Sequence, residues 1–235
     1  MITRPTNSRP VINHALHRSF GRVKGRVLRP AMQQLIDSLL PQLLIEDVST
    51  DHSLWFDRSY TQYHLEIGFG GGEHLARMAK ANPDIGFIGC EPYLNGVGLL
   101  LKQIDTEKLT NIRIFRGDAR ILLEHMPADI LTQIYILFPD PWPKRKHHKK
   151  RLISAQMPAL IAKVLKPQGQ VFIATDHADY AGWILAHMLR EQQLSWLAMR
   201  APDWQSPPPG WQPTRYQQKA LKAGRASVFF HFEKY

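Results

Sequence analysis

From Tyr63 onward, short apolar runs of strand length alternate with segments whose apolar positions recur at helical spacing. The strand candidates are Tyr63–Phe69, Ile85–Cys90, Asn111–Arg116, Ile130–Phe138 and Gln170–Thr175. Between them the spacing predicts helices over Glu73–Ala81, Asn95–Ile104, Ala119–His125 and Leu152–Leu165. Strands alternating with helices of this length predict βαβ units and a parallel sheet. Turn residues fall where that reading needs them: Asn82-Pro83-Asp84 ends the first helix and Lys166-Pro167-Gln168-Gly169 ends the fourth. A further helix is expected over Tyr180–Gln192, a strand around Trp196–Met199 and a last, β-branched and aromatic strand over Ala226–Glu233. Pro207-Pro208-Pro209-Gly210 marks a loop between those two strands. Ahead of the alternating region, residues 1–58 read as a basic arm and one helix, Met32–Leu44, packed on a single domain formed by 59–235.

Composition narrows this picture. With 235 residues and 44% hydrophobic content, the chain can bury one sizeable core. No run approaches the roughly 18 apolar residues of a membrane span, so no membrane association is expected. The single cysteine, Cys90, excludes an intrachain disulfide and a cysteine metal cluster, and fits a reducing cytoplasm. The eleven histidines form no convincing ligand pattern; His147 and His148 are adjacent and point in different directions, so no metal is expected.

The net charge of +10 points to a polyanionic partner, and its distribution sharpens the point. Residues 1–36 hold no acid but carry Arg4, Arg9, Arg18, Arg22, Lys24, Arg26 and Arg29. A second block runs from Lys144 through Arg145, Lys146, His147, His148, Lys149 and Lys150 to Arg151. Either could be an ordinary solvated face; two such blocks in one small chain favour a phosphate-binding surface. A transit peptide is the competing reading of the first block, but Gly21 and Gly25 weaken the amphipathic helix it would need.

The first strand runs into Gly68-Phe69-Gly70-Gly71-Gly72 and opens a helix, the arrangement that lets backbone approach a ligand closely. Glu91 closes the second strand, where an acid can hold the two hydroxyls of a ribose. A dinucleotide fingerprint would need glycine where this chain has Glu73. Glu66, before the glycines, can help hold a methionyl ammonium, and Asp118, after the third strand, can accept from an adenine amino group. Acids at three successive strand ends suit S-adenosylmethionine better than a nicotinamide dinucleotide, although one such acid alone is as often a helix cap. The fourth strand ends in Phe138-Pro139-Asp140-Pro141-Trp142-Pro143-Lys144, whose three prolines stiffen the loop. That places Asp140 beside the reactive sulfonium; Trp142 is either a base-stacking surface or a packing anchor.

These motifs, with Ala174-Thr175-Asp176, Pro213-Thr214-Arg215-Tyr216 and the arm around Arg18–Arg26, closely resemble the bacterial tRNA (guanine-N7)-methyltransferase family from about Arg18 to Phe232. The resemblance implies a Rossmann-like class I methyltransferase fold: α/β, a mostly parallel seven-stranded sheet with helices on both faces and an antiparallel C-terminal strand. It implies cofactor contacts from Glu66, Gly68, Gly70, Glu91, Asp118 and Asp140, with Asp140 also catalytic. Lys144, Asp176, Thr214, Arg215, Tyr216 and Gln217 would contact the substrate, and Lys146, His147, His148, Lys149, Lys150 and Arg151 would face tRNA. The target would be guanosine 46 of the variable loop, and the enzyme would need no obligatory protein partner, acting as monomer or homodimer. One position departs from the family, which has glutamate where this chain has Gln217. An amide accepts through one oxygen and adds no charge, which bears on base recognition rather than on methyl transfer. Three alternatives stand beside this reading: a methyltransferase of the same fold with another substrate, a nicotinamide-linked oxidoreductase, and a non-catalytic RNA-binding protein.

Overall fold

A computed structural model describes residues 25, 27–48 and 55–235. Seven strands form one sheet: β1 (Gln62–Ile67), β2 (Ile85–Cys90), β3 (Ile112–Phe115), β4 (Leu131–Leu137), β5 (Leu165–Thr175), β6 (Leu194–Trp196) and β7 (Val228–Lys234). Their order across the sheet is β3-β2-β1-β4-β5-β7-β6. The first five are parallel, and β7 runs antiparallel between β5 and β6. This is the expected class I methyltransferase sheet, with its antiparallel C-terminal strand.

The helices lie on both faces. On one, α3 (Glu73–Ala81) and α4 (Leu94–Glu107) bury Leu75, Leu100 and Leu101 against Phe87, Ile112 and Ile114. On the other, α5 (Ala119–His125), α6 (Met157–Val164) and α7 (Ala178–Met188) bury Leu122, Ile161 and Ile184 against Ile88, Ile134 and Ile136. Phe87 and Ile88 are neighbours in β2 yet serve opposite cores, as strand alternation requires. A strand covered on both sides reads as a continuous apolar run, which is why the central strands stood out in the sequence. Ahead of β1, α1 (Pro30–Ser38) and α2 (Leu40–Leu43) pack near α4 and β3, and the Ile45 amide donates to the Ile114 carbonyl at 2.9 Å. That segment caps the β3 edge of the sheet.

Proline accounts for the two largest departures from the expected helices. The helix expected over Met32–Leu44 is interrupted at Leu39, because Pro41 sits in the first turn of α2 and cannot continue α1. The helix expected from Leu152 begins only at Met157, since Pro158 belongs to a first turn rather than an interior. Ile153 lies instead in a bend: its amide donates to the Tyr180 hydroxyl and its carbonyl accepts from the Trp183 indole at 2.7 Å. α7 spans Ala178–Met188 instead of Tyr180–Gln192, with His177 accepting from the Tyr180 amide at its start. β6 lies at Leu194–Trp196, slightly ahead of its expected place. Two short helices, α8 (Pro202–Gln205) and α9 (Arg215–Lys222), were not foreseen.

In such a sheet the ligand crevice lies outside the carboxyl ends of the parallel strands, where the order reverses beside β1. The loops after β1, β2, β3 and β4 meet there.

Candidate active site

The loop after β1 turns on Gly68, Gly70 and Gly72, all in the left-handed region at φ 73°, 57° and 76°. At Gly68 a Cβ would meet nothing within 4 Å, so the backbone faces open cleft. Glu91, closing β2, accepts from the Gly70 amide through Oε2 and from the Tyr93 amide through Oε1, both at 2.9 Å. It thereby ties the first two loops together. Burial raises the Glu91 carboxyl above its usual range against the pull of those two amides, and the charges of Asp140 and Glu66 push in the same direction.

Asp118 caps α5 and is gripped by Arg120: Oδ1 accepts from the Arg120 amide at 2.9 Å and from Nε at 2.8 Å, and Oδ2 from Nη2 at 2.6 Å. Two oxygens offer about four acceptor positions, so Oδ2 keeps room for one further donor. Cys90 lines the wall beside them; burial first, then the charges of Glu91 and Asp118, push its thiol well above the ordinary value. It is a small neutral side chain there.

The loop after β4 carries Asp140 between two strained residues, Phe138 at φ 55° and Trp142 at φ 43°. Asp140 is exposed at the cleft, yet the surrounding protein dehydrates it enough to raise its carboxyl above the ordinary range. The Trp142 ring lies under the Lys150 ammonium at 4.6 Å and meets His147 edge-on at 5.7 Å, so it is packed locally while still lining the cleft. Opposite, Tyr216 stands over Gly70, its ring 3.2 Å from where a Cβ would be. Together Gly68, Gly70, Glu91, Asp118, Asp140, Lys150 and Tyr216 line one cleft of about 320 Å³.

The family model described as "Putative methyltransferase" matches residues 60–230. A tRNA (guanine-N(7)-)-methyltransferase of Rhodopseudomonas palustris is 44% identical over 95% of this chain and 86% of its own length. One of Nitrobacter hamburgensis is also 44% identical, over 92% and 86%. The chain belongs to the bacterial tRNA (guanine-N7)-methyltransferase family. Solved structures carry the same fold at low identity. TrmN from Thermus thermophilus matches with TM-score 0.54 at 16% identity over 87% of this chain and 48% of that one. The 16S rRNA methyltransferase KamB matches with TM-score 0.52 at 13% identity over 74% and 88%. Membership in this family removes the nicotinamide-linked alternative.

Several family positions fall elsewhere than in the cleft. Glu66 is buried, and its Oε2 accepts from His74 Nδ1 at 2.7 Å. Asp176, just past β5, accepts from Arg225 Nε at 2.8 Å. Thr214 caps α9, and Gln217 is buried beneath it, its Oε1 accepting from the Trp211 indole at 2.6 Å. Arg215 is exposed beside them. Lys144 and Lys146 are exposed on the 3-10 helix Arg145–Lys150 and its lead-in, as is Lys149. His147 is held below its usual range by dehydration and by the charges of Lys150, Lys146, Lys144 and Lys149.

Arg151 corrects the expectation of an RNA contact. Its side chain is fully buried, with the guanidinium 4.9 Å from both the Tyr180 and Trp183 rings. It donates through Nε to the Pro141 carbonyl at 2.9 Å and pairs through Nη2 with Asp179. A cation that pins the Asp140 loop from behind cannot reach a phosphate outside. His148 is half-buried and edge-on to Trp183 at 5.4 Å, on the inner side of the same block. The basic arm before Gly25, and Arg26, lie outside the described residues. Gly25 itself packs so closely on α4 that a Cβ would fall 1.8 Å from Asn95 Oδ1, next to Tyr93 of the cleft wall.

Gly96 does not line the cleft but packs directly against its glycine loop, a contact not expected from the sequence. In α4, its missing Cβ would lie 2.2 Å from the Gly70 carbonyl oxygen. The signal was available: Asn95-Gly96-Val97-Gly98 puts two helix-weakening glycines into one helix, which a packing need must explain.

Proposed function

We propose that this enzyme transfers a methyl group from S-adenosylmethionine to N7 of a guanosine in tRNA, guanosine 46 of the variable loop by the family's specificity. The observation that carries the reading is the juxtaposition of the acidic, glycine-floored cleft with an exposed basic helix. The cleft has the donor set for this cofactor. Gly68 leaves its floor open, Glu91 would accept from ribose hydroxyls, and Asp118 would accept from an amino group. Glu91, Asp140 and the nearby Glu66 concentrate negative charge that a cationic sulfonium and ammonium would offset. Glu66 would act on them through this field and through His74 rather than by contact.

When bound, S-adenosylmethionine supplies an electrophilic methyl group. Guanine N7 has a free lone pair and no proton, so the chain needs no general base. Its residues hold the base in line, and good orientation is worth roughly 7–11 kcal/mol. Asp140 positions the purine and offsets the positive charge that appears on it. Tyr216 bounds the opposite side of the cleft. Double-helical RNA hides N7 in a deep, narrow groove, so the base must be presented unpaired or turned out. Lys144, Lys146 and Lys149 would hold the flanking phosphates.

The test is transfer of labelled methyl from S-adenosylmethionine to unmodified tRNA by the purified chain, with nucleoside analysis of the product. A 7-methylguanosine peak supports the reading; bound cofactor with no transfer returns the non-catalytic alternative. Salt dependence separates the two roles found in the basic block. Log affinity for tRNA should fall steeply with log salt, and Lys149→Ala should reduce the slope by about one unit. Arg151→Met should leave the slope unchanged and lower stability by roughly 2–4 kcal/mol, read as a fall in Tm. A slope lost with Arg151 instead would reverse the assignment.

A further inference from the structure

We infer that Gln217 is a positioning residue: with Trp211 and His74 it docks α9 against the glycine loop and so sets Tyr216 over the cleft. The inference rests on the proposed transfer to tRNA for its kinetic arm only.

Thr214-Arg215-Tyr216-Gln217 has the spacing of a capping box, Thr-x-x-Gln. One half is present, with Thr214 Oγ1 accepting from the Gln217 amide at 3.2 Å. The Gln217 side chain has turned inward, where its Oε1 accepts a hydrogen bond from the Trp211 indole N–H. Trp211 in turn packs on Phe172 at 5.4 Å and on His74 at 5.6 Å between ring centres. His74 stands in the first turn of α3, directly behind Gly72, and its Nδ1 donates to buried Glu66 on β1. Two residues expected at the ligand, Glu66 and Gln217, are therefore the two buried ends of one chain of contacts through His74 and the half-buried Trp211. That chain holds the C-terminal segment next to the start of α3, while Tyr216 meets Gly70 itself.

In this arrangement the acceptor at position 217 matters through the indole it holds. A carboxylate accepts the same N–H, so the family's glutamate and this chain's glutamine serve one structural purpose. A buried donor left without its acceptor costs enough to shift a local docking equilibrium about tenfold.

The experiment is a double-mutant cycle of Trp211→Phe, which keeps a ring but removes the donor, and Gln217→Leu. Three quantities are read: kcat/KM for unmodified tRNA, Kd for S-adenosylmethionine by calorimetry, and the rate of tryptic cleavage within α9 at Arg215, Lys219 and Lys222. Each single variant should lose about tenfold in kcat/KM and be cut several-fold faster in α9, with cofactor Kd within about twofold of wild type. The double variant should be no worse than the weaker single, and Gln217→Glu should recover most of what Gln217→Leu loses. Additive losses, or an unchanged cleavage rate in Gln217→Leu beside a large kinetic loss, would overturn the inference and make Gln217 a direct reader of the base. If wild type transfers no methyl to tRNA, the functional reading fails separately, and the cleavage rates still decide whether Trp211 and Gln217 dock α9.

Discussion

Replacing Asp140 by alanine is expected to slow methyl transfer by about 10²–10³-fold while changing tRNA affinity by less than about threefold. The asymmetry follows from where the residue stands. Asp140 lies on the cleft wall, in a loop whose backbone is held by Pro139 and Pro141, by strained φ angles at Phe138 and Trp142, and by Arg151 on the Pro141 carbonyl. A loop so constrained presents its carboxylate with little left to reorganise. The phosphates that dominate RNA affinity would meet the lysines instead, and those are untouched by the substitution. Single-turnover transfer and filter binding on the same variant provide the check. Equal losses in both would mean that Asp140 only helps to hold RNA, and no loss would remove it from the mechanism.

The pH profile gives a second view of the same residue. Dehydration by the surrounding protein raises the Asp140 carboxyl, so its ionised form is lost at a higher pH than an ordinary aspartate near 3.9. If that ionised form is required, kcat/KM is full above the raised value and falls as pH drops through it, since this ratio reports the free enzyme. Glu91 is raised as well and would add its own limb. Asp140→Asn should therefore remove one acid limb and leave the other.

Much of this was legible in the chain, for identifiable reasons. The parallel strands are buried on both faces and write themselves as apolar runs, so the sheet and the strand-end acids Glu91, Asp118 and Asp140 could be placed before any coordinates. Side-chain partners could not. Arg151 looks like its exposed neighbours because a buried cation and a solvated one are the same letter; only Tyr180, Trp183 and Asp179, brought in by α7, distinguish them. Motif position likewise says nothing about which way a side chain turns at a helix cap, so the bond from the Trp211 indole to Gln217 was not to be read from the chain. The helix ends at Leu39 and Met157 were within reach, since Pro41 and Pro158 already excluded the longer helices. α9 was within reach too, through Thr214 and Gln217 at capping-box spacing.

Gly96→Ala is expected to weaken S-adenosylmethionine binding by tenfold or more, roughly, and to lower Tm. Helix propensity alone points the other way: alanine inside α4 should stabilise by about 0.5–1 kcal/mol relative to glycine. Geometry outweighs that gain. The new Cβ would lie 2.2 Å from the Gly70 carbonyl oxygen, a backbone atom with no rotamer to adopt. Either α4 or the glycine loop must therefore move by about an ångström, and overpacking of this kind costs roughly 1–3 kcal/mol. A shift of the loop would pull the Gly70 amide from Glu91 Oε2, opening the junction of the first two cleft loops. Gly98→Ala, one step along the same helix, is the control. Its Cβ would meet the Met32 side chain of α1 at 2.5 Å, and a flexible thioether can swing aside. Both variants gain the same propensity, so a selective loss of cofactor affinity in Gly96→Ala isolates the contact with Gly70. Equal behaviour of the two in calorimetry would show that the glycine loop tolerates displacement and that the close approach of α4 is not what shapes the cleft.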